Sequence, residues 1–147
     1  MCEVIKNLLT SNTFLTVFSG TLVFVLSQLF IAYFLNPIKE FKELKAKISY
    51  TLIFYACYYS NPCENSGDKN GMWRESSDSL RKMAAEVGSF IQRKPKYNAF
   101  IVSSKKLLEV QKSLIGLSNG CFNQNCVDGN LRNVEKIEKL LHLKTTK

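Results

Sequence analysis

A chain of 147 residues with an apolar fraction of 46% holds one domain's worth of structure, or a small domain plus an anchor. Its 20 lysines and arginines against 12 aspartates and glutamates leave a net charge of +8, which directs attention to anionic surroundings, a lipid leaflet or a nucleic acid. The apolar residues are unevenly spread, and no charged residue occurs from Asn7 to Ile38.

The leader MCEVIKNLLTSN, residues 1–12, carries one lysine against one glutamate. Thr13 to Leu35, TFLTVFSGTLVFVLSQLFIAYFL, is the longest apolar stretch. As a helix it would extend about 34 Å, enough to cross a hydrocarbon core of ~30 Å with some tilt. A buried helix of a soluble protein rarely stays apolar on every face for so many turns. A cleaved signal peptide has a shorter apolar region, a basic leader and a small-x-small exit, whereas this stretch leaves through AYFLNPIKE. The reading is a single transmembrane anchor over 13–35. Lys39, Lys42, Lys45 and Lys47 follow it closely while only Lys6 precedes it. Lysine excess marks the cytoplasmic side, so 1–12 is expected outside and 36–147 inside the cell (inner) membrane.

Asn36-Pro37 has the chemistry of a helix start, and a kink in one continuous helix is the alternative. Ile38, Phe41, Leu44, Ile48, Leu52, Tyr55 and Tyr59 then recur at helical spacing, predicting a helix that ends near Ser60. Within it, ISYTLIFYACYYSNPC (Ile48 to Cys63) has no charge at all. It is too short for a second span. Ile53, Phe54, Ala56 and Tyr58 lie off the main stripe, so the helix is apolar nearly all round and belongs at the centre of a bundle or under a partner, with Tyr55, Tyr58 and Tyr59 the candidate partner face. NPCENSGDKNG reads as a loop. A second helix is expected from Ser76 to Asp78 until about Pro95, with Leu80, Met83, Ala84, Val87 and Ile91 inward. A third is expected from Ser103 or Ser104 to Ser118-Asn119-Gly120, carrying Leu107, Leu108, Val110, Leu114 and Leu117. After the loop CFNQNCVDGN, a fourth carries Leu131, Val134, Ile137, Leu140 and Leu141. The expected fold is all-α: one N-terminal transmembrane helix and a cytosolic bundle of about four helices.

The blocks NPIKEF directly after the span, LIFYA, YSNP, LRKMAAEV and LIGLSN, in that order between Val23 and Asn119, resemble a group of small, uncharacterised, single-pass bacterial membrane proteins. The resemblance implies one span and a cytosolic helical domain, and supplies no catalytic residue. Related chains tend to place an acidic residue before Pro-Ile, where this one has Asn36.

The motifs of chemistry are missing from the sequence. No GxxxxGK[ST], GxGxxG, HExxH or GxSxG occurs. Cys2, Cys57, Cys63, Cys121 and Cys126 lack the intervals of a zinc knuckle, and four of them fall on the reducing side of the membrane. His142 is the only histidine, with no thiol at a suggestive spacing. Glu86 follows Lys82 by four residues, as in an ordinary helical surface pair. The expectation is a non-enzymatic protein without metal, cofactor or small-molecule substrate.

Binding surfaces are better supported. Arg93, Lys94, Lys96, Lys105, Lys106 and Lys112 are opposed only by Glu109 and, with the juxtamembrane lysines, suit an anionic leaflet. Tyr97 and Phe100 among them raise nucleic-acid binding, but no recognition motif accompanies them, so the lipid bilayer is the favoured partner. Thr13, Thr16, Gly20 and Ser27 align on one face of the span beside Gln28, an arrangement suited to self-association or to a larger membrane complex. Two functions follow: a membrane-anchored binding or sensing module, or a membrane-perturbing effector of toxin or defence type acting through an oligomerised span.

Overall fold

The computed structural model describes residues 12–63, 68–93 and 102–143, and every regular element among them is helical. The chain divides into two compact units, Met1–Lys39 and Glu40–Lys147. Residues 1–11 of the leader, and Lys94, Lys96, Tyr97 and Phe100 of the basic segment, lie outside the described residues.

In the first unit, α1 spans Asn12–Phe30 and passes into a π-helical turn, Ile31–Leu35. This is a helix long and apolar enough to cross a membrane by length and composition, and none of it is buried. The expected cap at Asn36 does not form. Asn36 itself is helical, its N–H bonds the carbonyl of Ile31, and α2 follows at once as Asn36–Phe54. The cause lies next door: Pro37 has no N–H to donate and its ring crowds the carbonyl four residues back, and a widened turn accommodates both without ending the helix.

The second unit is built on the stripe Leu44, Ile48, Leu52, Tyr55 and Tyr59, all buried. The single helix expected to reach Ser60 is interrupted at Tyr55, whose backbone leaves helical values (φ −97°, ψ 16°), and a short α3, Ala56–Ser60, follows. The break leaves the last carbonyls of α2 without their usual partners. The Tyr59 hydroxyl supplies one, donating to Leu52 O at 2.9 Å.

Helix α4 spans Met72–Arg93 and so begins well before Ser76. The loop that looked like a mere breaker carries its cap: Gly71 turns the chain at φ +69°, and the Asp68 carboxylate accepts from the N–H groups of Trp73 (3.4 Å) and Arg74 (2.9 Å). An anion at this end also suits the helix dipole. Helix α5 spans Ser104–Gly120, and α6 spans Val127–Leu141 after a 3₁₀ turn at Gln124–Cys126 that is capped by Asn123.

The core joins Leu44, Ile48 and Leu52 to Leu80, Val87 and Phe90 of α4, to Leu107, Val110, Leu114 and Leu117 of α5, and to Val134, Ile137 and Leu141 of α6. Two residues expected inward, Leu108 and Leu131, are instead exposed. On α6 the inward stripe is Asn130, Val134, Ile137 and Leu141, with buried Asn130 in the place expected of Leu131. Its amide donates to Tyr59 O (2.8 Å) and Gly120 O (3.2 Å), fastening the ends of α3 and α5.

Candidate functional site

Among the described residues, no three His, Cys, Asp or Glu side chains stand close enough to hold a metal ion. The thiols of Cys57, Cys63, Cys121 and Cys126 are free. Cys121 is buried against Leu117 O at 3.3 Å, and burial pushes its thiol pKa up. Cys63 is shifted the same way, by desolvation and then by Asp68. Both thiols are held in their less nucleophilic form. Glu86 pairs with Lys47 of α2 at 3.0 Å rather than with Lys82, tying two helices together. Glu109 is held below the ordinary carboxylate range by the ammonium of Lys136 first and that of Lys112 second.

The tyrosines divide differently from the sequence expectation. Tyr55 and Tyr59 are buried. The Tyr55 hydroxyl donates to Glu75 Oε1 (3.1 Å) and accepts from Ser79 (3.1 Å). Burial pushes the Tyr59 pKa to about 12. Tyr58 is half-buried, edge-on to Trp73 with ring centroids 5.2 Å apart, and the Trp73 indole N–H is fixed by Asn61 O at 2.9 Å. Neither Tyr55 nor Tyr59 therefore offers a docking surface, because both hydroxyls and rings are committed inside the fold.

The exposed face lies on the other side of the same stretch. Tyr50 is 65% exposed, Ile53 57% and Phe54 52%, with Cys57 also exposed. Tyr50, Ile53 and Phe54 lie three and four residues apart on α2, which puts them on one stripe, and Cys57 follows on α3 just past the break at Tyr55. Tyr50 and Phe54 stack at 5.6 Å, so the stripe is a continuous aromatic-aliphatic surface. The signal was present in the sequence, in the residues lying off the buried stripe of an all-round apolar helix. Only the packing says which side is left open.

The basic residues separate into two settings. Lys47 and Arg93 line a cleft of about 410 Å³ together with Glu40, Glu43 and Glu86, so their charge is matched locally. Lys39 and Lys42 are exposed on the first turns of α2. Lys45 and Lys106 instead meet at a smaller cleft of about 230 Å³, with Ser103 and His142, walled by Phe41, Val102, Leu140 and Leu141. Among the described residues, no carboxylate lines it. Lys105 is exposed beside it on the first turn of α5.

On α1, the hydroxyls of Thr16 and Ser27 bond carbonyls of their own helix, Asn12 O at 2.8 Å and Val23 O at 2.7 Å. Gly20 has open space around it, and Gln28 is exposed. The side chain of Thr13 lies outside the described residues.

No protein-family model matches the chain, and neither the curated proteins nor the solved structures contain a significant match to it.

Proposed function

We propose that this chain is a non-enzymatic, single-pass membrane protein that carries a helical binding module at the cytoplasmic face of the cell membrane. One observation carries the reading. Throughout α1 and the π-helical turn, Phe, Leu, Val and Ile side chains stand exposed, and none of them is buried by another described residue. In water so much apolar area is costly, at about 25 cal/mol per Å². In hydrocarbon it is the favoured state. The lysines that follow set the orientation, by the asymmetry that places basic residues inside.

The binding surface is the Tyr50–Ile53–Phe54–Cys57 stripe, and its occupant is a second copy of the chain. Copies held in one bilayer share an orientation, so equivalent faces meet around a two-fold axis and residues near that axis touch their own counterparts. The three large side chains expose roughly 300 Å², well short of the ~800 Å² per partner of a stable soluble interface. Confinement to a membrane raises the effective concentration enough for so small a contact to be used.

Four measurements test the proposal. Alkaline extraction of membranes should leave the chain in the pellet, and in a Cys2→Ser variant, which removes the thiol of the outer leader, a membrane-impermeant maleimide should reach Cys57 only after lysis. Recovery in the soluble fraction would dismiss the anchor, and labelling of intact cells would reverse the orientation. In membranes, a bifunctional maleimide should give a dimer band that Cys57→Ser removes. Rapid span-dependent depolarisation on expression would favour the membrane-perturbing effector instead.

A further inference from the structure

The cleft shared by Lys45 and Lys106 has a composition that the structural role of its walls does not require. Three elements build it: α2 gives Phe41 and Lys45, the start of α5 gives Ser103 and Lys106, and the end of α6 gives Leu140, Leu141 and His142. The surface lysines Lys47, Lys112 and Lys136 each have a glutamate within 4.0 Å, but Lys45 and Lys106 have none among the described residues. Ser103 precedes the first turn of α5 in extended conformation and makes no side-chain cap bond. Its hydroxyl remains free to serve a ligand. His142 is held at the rim in the left-handed conformation (φ 51°), its own N–H bonded to Glu138 O. The first-turn N–H groups of a helix add partial positive charge at the same place. Two ammonium groups near a helix start, with no glutamate or aspartate among the described residues paired to them or lining the cleft, are arranged for an anion.

From this juxtaposition we infer that the cleft binds a phosphate group attached to an apolar or neutral body. Lys45 and Lys106 act as the charge partners, Ser103 as a hydroxyl donor, and Phe41, Val102, Leu140 and Leu141 as the wall for the rest of the ligand. Phosphate fits better than carboxylate because it carries about −1.5 to −2 charges at neutral pH when a monoester, matching two ammonium groups, and its three oxygens reach donors in different directions. The volume of about 230 Å³ admits one such group with a short substituent. A lipid whose headgroup is itself a phosphate monoester, such as phosphatidic acid, and a soluble phosphate monoester present this same chemistry. The inference stands on the cleft alone and does not need the membrane reading.

The test uses the full chain in neutral phosphatidylcholine nanodiscs or detergent, with two probes. In one arm, glycerol 3-phosphate is titrated by calorimetry. In the other, retention of phosphatidic acid is read by native mass spectrometry after mixed-lipid reconstitution. Binding in either arm, weakened tenfold or more by Lys45→Gln with Lys106→Gln and a few-fold by Ser103→Ala, is the expected result, and the responding arm identifies the source. Lys69→Gln with Lys82→Gln, both exposed and away from the cleft, serves as the control of equal charge removed elsewhere. An equal loss in that control would reduce the effect to diffuse surface charge and overturn the site, as would silence in both arms. If the double variant unfolds by circular dichroism, either single exposed variant, Lys106→Gln or Ser103→Ala, decides instead. A chain that leaves the bilayer but still binds glycerol 3-phosphate would sink the anchor and keep the cleft.

Discussion

Gly120 shows how one missing methylene group organises the junction of three helices. A Cβ there would lie 1.9 Å from Asn130 Oδ1, so only glycine lets the Asn130 side chain pass between the ends of α3 and α5. Gly120→Ala should therefore displace a buried, doubly bonded amide and cost about 2–4 kcal/mol, read as a lower urea midpoint with unchanged helix content. In the sequence, Ser118-Asn119-Gly120 reads as a helix stop by conformational freedom. The helix does stop there, but the requirement on Gly120 is space for a residue ten positions on, which no local rule could show. Tyr59 is the second such residue. Its pKa is raised from 10.0 to about 12, chiefly by burial, so its contribution is fully present below pH 10 and fades as the pH climbs towards 12. Tyr59→Phe should remove that part of the alkaline destabilisation, while the lost bond to Leu52 O costs about 1 kcal/mol at neutral pH.

Among the elements, inward faces with strict spacing were legible and starts were not. Leu80, Met83, Ala84 and Val87 are buried as their periodicity requires. The beginning of α4 was hidden because its cap, Asp68, stands beyond a glycine turn inside a segment whose composition reads only as loop. Asp68→Ala should fray the first turn and cost about 1 kcal/mol, seen as faster amide exchange at Trp73 and Arg74. Glu109 lies on α5 between Lys112 of the same helix and Lys136 of α6, and its depressed pKa has a directional consequence. The stabilisation is complete above the ordinary value of 4.5 and is lost as the pH falls below it. Glu109→Gln should flatten that acid limb of the stability profile and leave neutral-pH stability nearly unchanged, as befits an exposed pair. The cross-helix partners of Glu109 and Glu86 could not be read from i,i+4 spacing, because α5 and α6, or α2 and α4, must be packed before they meet.

At the scale of the whole molecule, the division into an apolar helix and a folded helical unit was the most legible feature, since it depends on composition over many residues rather than on any contact. The candidate surfaces were less so. The tyrosine-rich stretch announced an exposed face, and the fold moved it from Tyr55 and Tyr59 to Tyr50, Ile53 and Phe54. The lysines announced an anionic partner, and folding matched some to glutamates and left Lys45 and Lys106 together. If the anchor reading holds, replacing Val23 and Phe24 by lysine should shift the chain from the membrane pellet to the soluble or aggregated fraction. The cooperative unfolding of Glu40–Lys147 should keep its midpoint within a degree or two, because neither residue contributes to that unit's core.

The hydroxyls of α1 have a consequence for how this helix tolerates change over generations. Thr16, Ser19, Thr21 and Ser27 each return their proton to a carbonyl of the preceding turn. None depends on a neighbour, so exchange for alanine or valine removes no obligatory partner and these sites are free to drift. Gln28 stands apart, since under the proposed anchor role its amide would meet hydrocarbon with two polar ends to satisfy. Across natural variants, the hydroxyl positions should wander among small residues while position 28 keeps a hydrogen-bonding side chain wherever the helix associates, which makes mutational tolerance itself an assay for pairing.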